Sequence, residues 1–255
     1  MKKLFFSLLA IILVSITSLM IILSTLGLET NKFNKLISEK AAKANNINLK
    51  LEKIRFKLDP NKLSLFVETQ NPIINYRDIT IPVKKIKVYI DFLSLLKSSP
   101  KIKKIILVLH ELNVSQINKL SSLIKPSNFR SFLNNKVNSG KIFTEIEIYL
   151  DKDGLFENFI TKGNVENLNT QLFGGFSLSK TNLTFFADKN DILIKNIYGD
   201  IEGAKISDGD IKVELDNGIR LNSNFKSNIN LNKKFFEKNI KLLKKFDLIK
   251  NIINL

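Results

Sequence analysis

Residues 82–96 read PVKKIKVYIDFLSLL and residues 100–115 read PKIKKIILVLHELNVS. In the first stretch Ile86, Val88 and Ile90 alternate with Lys85, Lys87 and Tyr89. In the second, Ile105, Leu107 and Leu109 fall on one face of a strand. A period of two belongs to extended chain, whose successive side chains point to opposite faces, whereas an amphipathic helix repeats near 3.6. Working back toward the N-terminus, the same alternation recurs at Leu63, Leu65 and Val67, at Ile54, Phe56 and Leu58, and at Ile47, Leu49 and Leu51. Asp59-Pro60-Asn61 and Asn71-Pro72 punctuate these runs as turns, and Ile79 and Ile81 lead up to Pro82. Asp91–Leu96 reads as a helical corner.

Toward the C-terminus, Asn113 followed by Gln116 predicts a capped helix with Ile117, Leu120, Leu123 and Ile124 as its apolar stripe, ended by Pro126. The segment up to Gly140 reads as a second short helix or an irregular arm. From Lys141 the strand pattern returns at Ile142, Ile146, Ile148 and Leu150 and continues to Phe225. Turns are expected at Asp151–Gly154, Lys162-Gly163-Asn164, Asp188–Asp191, Gly199-Asp200, Asp208-Gly209-Asp210 and Asp216-Asn217-Gly218. The predicted fold is therefore mainly β: a long antiparallel meander with short flanking helices, forming a curved, partly open, taco-like groove.

Before this body, residues 4–28 (LFFSLLAIILVSITSLMIILSTLGL) carry no formal charge. As a helix such a run reaches roughly 37 Å, enough for a hydrocarbon core of about 30 Å. It is longer than the apolar stretch of a cleavable signal and lacks a small-residue cleavage site, so it reads as an uncleaved transmembrane helix. The lysines after the run outnumber Lys2 and Lys3 before it. Long exported domains follow the positive-inside count poorly, however, and the expected topology is a cytoplasmic N-terminus with the body exported. The expected divisions are 1–28 (anchor), 29–45 (amphipathic juxtamembrane helix), 46–140 (first β module with covering helices), 141–231 (continuing meander) and 232–255, a basic amphipathic tail and candidate truncation point.

Composition narrows the chemistry. The chain has 255 residues, 40 Lys+Arg against 24 Asp+Glu, one histidine and no cysteine. Disulfides, thiolate metal sites and cysteine nucleophiles are excluded. His110 beside Glu111 is a strand-end polar pair, and no phosphate loop, HExxH, GxSxG or dinucleotide fingerprint is present. No catalytic residue, metal site or cofactor is expected, and the chain reads as a non-enzyme. The charge of +16 rests on 36 lysines and only 4 arginines in a chain also rich in isoleucine and asparagine. Nucleic acid is not an expected partner, because phosphate and base recognition favours arginine forks and aromatic platforms.

A one-sided apolar sheet must be covered by another layer or by an apolar ligand. Two readings stay open. In one the apolar faces meet in a filled core. In the other they line a groove for acyl chains, with Leu49, Leu51, Phe56, Leu65, Val88, Ile90, Leu107, Leu109, Ile146, Ile148, Phe185, Ile194, Ile211 and Val213 as the lipid-binding candidates. Lys85, Lys87, Lys103 and Lys104 are then candidates for attracting phosphate at a wet lip.

The anchor, the strands of NINLKLEKIRFKLDPNKLSLFV, the two stretches quoted at the outset, and VENLNTQLFGGFSLSKTNLTFF with NIYGDIEGAKISDGDIKV together resemble the AsmA-like family of TamB and YhdP type. The resemblance implies a bacterial inner-membrane protein with its body in the periplasm. It also implies a hydrophobic β-groove carrying phospholipid between envelope membranes, and other envelope proteins as partners. Members of that family are commonly longer, so this chain is expected to be an N-terminal part of one, a split product, or a small member. The alternative function is a membrane-tethered scaffold or outer-membrane assembly factor with a filled core and no lipid path.

Overall fold

The computed structural model describes residues 2–31, 34, 38–39, 47–60, 64–77, 79–91, 101–123, 125–172, 176–201, 204–216 and 218–228. It opens on helix α1 (Lys2–Thr25), whose Leu4–Thr25 portion has a mean hydropathy of 2.7 and is not buried by protein. Thr17 donates to the Leu13 carbonyl at 2.6 Å, and Ser24 and Thr25 donate to the Ile21 carbonyl at 3.0 and 2.7 Å. These three hydroxyls are thus satisfied by the helix itself, as a hydrocarbon environment demands. The amides of Leu26 and Gly27 both donate to the Ile22 carbonyl, and Gly27 turns left-handed at φ 75°. Strand β1 (Leu28–Thr30) starts at the next residue, so the expected boundary at 28 falls inside a short strand rather than at the start of a helix.

The chain forms two compact units. The first comprises Met1–Leu112 and Phe143–Thr161. It holds β2 (Ile47–Lys50), β3 (Ile54–Asp59), β4 (Ser64–Gln70), β5 (Ile73–Tyr76), β6 (Ile79–Ile81), β7 (Val83–Ile90) and β8 (Ile102–Leu109). Its main antiparallel sheet runs β1-β3-β4-β7-β8, then the Phe143–Leu150 part of β10 (Val137–Leu150) and the Phe156–Thr161 part of β11 (Phe156–Gln171). A separate three-stranded sheet, β2-β5-β6, contains residues expected to belong to the meander. The Asn71-Pro72 break and Pro82 bracket its β5–β6 hairpin, and β5 was not anticipated. The β10–β11 turn forms where predicted: Asp151 Oδ1 accepts from the amides of Asp153 and Leu155, each at 2.9 Å.

The second unit comprises Asn113–Ile142 and Lys162–Leu255. After the two-residue β9 (Leu112–Asn113), α2 (Val114–Ser121) carries the expected capping box. The Gln116 amide donates to Asn113 Oδ1, and the Asn113 amide donates to Gln116 Oε1. The next segment is a helix, α3 (Asn128–Lys136), capped by Ser127. Ser121 joins the two helices by donating to Asn134 Oδ1 at 3.0 Å. The remaining parts of β10 and β11 lead into β12 (Ser177–Ala187), β13 (Asp191–Ile201), β14 (Ala204–Glu214) and β15 (Arg220–Asn228), paired in that order. Among the described residues the sheets do not close into a barrel.

The strands are longer than expected because three predicted turns lie inside them. Lys162-Gly163-Asn164 is internal to β11, Gly199-Asp200 to β13 and Asp208-Gly209-Asp210 to β14. Two of these glycines make room for a cross-strand neighbour. A Cβ on Gly199 would meet the Thr181 hydroxyl, and one on Gly209 would meet the Phe225 ring. Irregularity appears as bulges instead. Asn167, Lys180 and Asn196 are left-handed at φ 51°, 49° and 54°. Their amides donate in turn to Asn182 Oδ1 at 2.9 Å, Asn169 Oδ1 at 3.1 Å and Asp210 Oδ1 at 3.3 Å. Each bulge frees a backbone donor from the ladder, and a short polar side chain on a neighbouring strand accepts it. Of the helix expected within 29–45, Asn34, Ser38 and Glu39 are helical. The rest of it, the corner beyond Asp91 and the 232–255 tail lie outside the described residues.

Candidate functional site

Directly opposed residues of antiparallel strands share a face. In the first unit Leu28, Phe56, Val67, Val88, Ile105 and Ile148 stand side by side across six strands. Beside this row run Thr30, Ile54, Thr69, Ile86, Leu107 and Ile146. Leu58, Leu65, Ile90 and Ile102 form a third row on the same face, and Leu109 lies opposite Val83. Eight candidates therefore meet on one face: Phe56, Leu65, Val88, Ile90, Leu107, Leu109, Ile146 and Ile148. Each of them is half-buried. Full burial on this face is reached by Ile54, Thr69 and Val83, while Leu28 is 53% exposed.

The opposite face carries the charges and yet holds the buried cluster. Phe66 and Tyr89 stack at 5.1 Å between ring centroids and pack with Ile106 and Val108. Lys87 lies 5.2 Å over the Phe66 ring, and Lys104 lies 5.0 Å over Tyr89 and 5.6 Å over Tyr149. Glu68 accepts ion pairs from Lys57 at 3.2 Å and Lys85 at 3.6 Å, and Glu147 pairs with Lys104 at 2.9 Å. The lysine stems and paired head groups thus roof the rings. Burial by itself would raise the Glu68 carboxyl, but the hydrogen bond from Lys57 and the charges of Lys85, Lys57 and Lys87 outweigh it and hold the group below the ordinary carboxylate range. Burial, reinforced by Asp59 and Glu147, pushes the Tyr89 hydroxyl up, keeping it neutral. A polar cleft lined by Glu52, Lys53, Arg55, Glu68, Gln70 and Asn71 belongs to this charged side.

The four lysines expected at a phosphate-attracting lip make the following contacts. Lys85 and Lys104 hold carboxylates and Lys87 covers Phe66, all on the charged face, while Lys103 pairs with Asp91 at 2.6 Å. Lys85, Lys103 and Lys104 thus pair with carboxylates, a partnership that strand spacing within one segment does not reveal. Leu49 also stands apart from the other candidates. It pairs with Ile74 in the small sheet, and Leu51 follows that strand in the link to β3.

In the second unit Phe185, Ile194 and Ile211 form one row, which ends at Ser223. Ala187, Ile192, Val213 and Leu221 form the next. The four candidates here are half-buried, while Thr181, Ile197 and Ile206 are buried. Sequence reading picked alternate residues well but left out Leu28, Val67, Ile86, Ile105 and Ile192, which complete the rows. The same alternation could have found them. The Phe66, Tyr89 and Ile106 cluster was missed because its neighbours are charged. His110 is exposed at the end of β8, and among the described residues there is no His/Cys/Asp/Glu cluster suited to a metal ion.

Comparison with protein-family models, characterised proteins and solved structures finds no match for the chain. What the fold and the face define is a class: a mainly β protein with an N-terminal helix long and apolar enough to anchor it in a membrane.

Proposed function

We propose that this protein is a membrane-anchored lipid-shielding protein of AsmA-like type, whose apolar sheet faces cover phospholipid acyl chains during transport between bacterial envelope membranes. The observation that carries this reading is the row Leu28, Phe56, Val67, Val88, Ile105 and Ile148. It is apolar across six strands, continuous with the membrane helix at Leu28, and not fully buried. Exposing two 16-carbon tails to water would cost on the order of 25 kcal/mol, at about 0.8 kcal/mol per methylene. No single pocket residue offsets such a sum. A broad aliphatic wall does, and it imposes no sequence on the lipid beyond a tail. In this reading the body lies in the periplasm, α1 crosses the inner membrane, and no residue of the chain acts as a catalyst.

The test is to purify the full chain in mild detergent and identify co-purifying phospholipid by mass spectrometry, then repeat with Val88→Asp and Leu107→Asp. Wild-type protein is expected to carry phospholipid and the folded variants to lose it. Wild-type protein free of lipid, or variants that unfold outright, would instead favour the scaffold with a sealed core.

A further inference from the structure

The join between α1 and the sheet has an unusual economy. Two residues, Leu26 and Gly27, separate the helix from a strand already in register, with Leu28 opposite Phe56. Gly27 cannot be replaced quietly. Its backbone is left-handed, and a Cβ would sit 2.8 Å from both the Phe56 carbonyl oxygen and Lys57 Cγ. One residue beyond Leu28, Glu29 receives Arg55 Nε at 2.7 Å and Lys53 at 3.4 Å, which fastens β1 to β3 by side chains as well as by the ladder. Helix and strand are therefore joined without a flexible linker.

The position of this join relative to a bilayer follows from length. A 24-residue helix spans about 36 Å against a hydrocarbon core of about 30 Å, so its last turn reaches the interfacial zone. There the chain presents Leu26, 72% exposed, and Leu28, 53% exposed. Arg55 and Lys57 stand on the adjoining strand and Lys53 just before it; Lys53 and Arg55 pair with Glu29, and Lys57 pairs with Glu68 on the charged face. Exposed leucines at the end of a membrane-length helix suit the interfacial zone at the edge of the acyl chains.

We infer that the α1–β1 join is a rigid membrane-contact collar: Leu26 and Leu28 rest in the interfacial zone of the same bilayer that α1 spans, and the edge of the sheet meets phospholipid there directly. Resting on the proposed function, the collar is also where an acyl chain passes from the bilayer onto the apolar row, with Leu28 as the first rung. The occupant of this surface is the bilayer's own phospholipid, because α1 and the collar are consecutive in the chain.

The chain lacks cysteine, so a single introduced thiol reports one place only. Full-length protein carrying Leu28→Cys, with Asn190→Cys in the exposed β12–β13 turn as control, is labelled with an environment-sensitive fluorophore. It is then reconstituted in vesicles of phosphatidylethanolamine and phosphatidylglycerol containing lipids spin-labelled near the head group. The Leu28 label is expected to be quenched and the Asn190 label not. Inserting a flexible glycine-serine segment between Gly27 and Leu28 is expected to abolish quenching while circular dichroism shows the strands retained. Absence of quenching at Leu28 in the unmodified chain, or quenching undiminished by the inserted segment, would overturn the collar. Quenching does not depend on lipid in the groove, so protein quenched at Leu28 but purified free of phospholipid would keep the collar and remove the transport reading.

Discussion

On one face of the first unit's sheet, Phe66, Tyr89 and Ile106 are buried although lysines and glutamates surround them. On the other, Val88, Ile105 and Ile148 are half-buried although their neighbours are aliphatic. Hydropathy alone would have assigned the core to the second face. A sheet face can be covered by its own side chains only if some of them are long. Lysine stems on adjacent strands reach over an aromatic ring and place their charges on carboxylates, so the charged face roofs itself. On the apolar face Ile54 and Val83 are buried, but valine and isoleucine are too short to fold over one another and the row through Val88, Ile105 and Ile148 stays partly exposed.

Truncating a side chain on each face separately tests which face is packed. Phe66→Ala is expected to lower unfolding stability by about 3–5 kcal/mol, as for aromatic truncation in a packed core. Ile106→Ala on that face and Ile105→Ala on the apolar face remove the same atoms, and Ile105→Ala is expected to cost clearly less than Ile106→Ala in the same denaturant titration. Equal losses would mean that the apolar face is a sealed core. The roof itself is tested next. Glu68→Gln leaves Lys57 and Lys85 without their buried carboxylate, with an expected cost of about 2–3 kcal/mol near neutral pH. Because the folded carboxyl is held below its ordinary value of 4.5, its contribution is complete above that value and disappears as pH falls through the depressed folded value. The gap between wild type and Glu68→Gln in melts at stepped pH is therefore expected to close on acidification, and a gap independent of pH would refute the pairing.

Smaller effects are expected in the second unit, where bulges and closely packed glycines interrupt the strands beside its apolar rows. Gly209→Ala pushes a methyl into the Phe225 ring and is expected to cost about 1–3 kcal/mol by overpacking, unless Phe225 is also shortened. Phe225→Leu should therefore recover part of the loss in a double variant. Asn182→Ala removes the acceptor for the Asn167 amide at an exposed position where water can substitute, so the expected loss is about 0.5–1.5 kcal/mol. Faster hydrogen exchange at the Asn167 amide would locate it.

Much of this architecture was legible in the residues. Alternation of Ile86, Val88 and Ile90, and of Ile105, Leu107 and Leu109, put each on the correct face because strand geometry is local. The Asn113 and Gln116 spacing located a helix start for the same reason, since a capping box is satisfied within four residues. Glycine was the weak guide: Gly163, Gly199 and Gly209 looked like turn residues, yet at Gly199 and Gly209 a neighbouring strand needs the space a side chain would take. The detachment of β2, β5 and β6 into their own sheet was equally hidden, because the alternation at Leu49 is the same whichever sheet the strand joins.

By itself, then, the chain's order of residues determined a membrane-length helix, a mainly β body and the identity of its apolar faces, all of which depend on neighbours within a few positions. The tertiary structure alone decided which face would be roofed, which lysines would be spent on carboxylates, and that the helix would pass into the sheet through a single left-handed glycine. Those outcomes depend on strand register, which brings residues such as Glu68 and Lys85, or Leu28 and Phe56, together from distant parts of the chain.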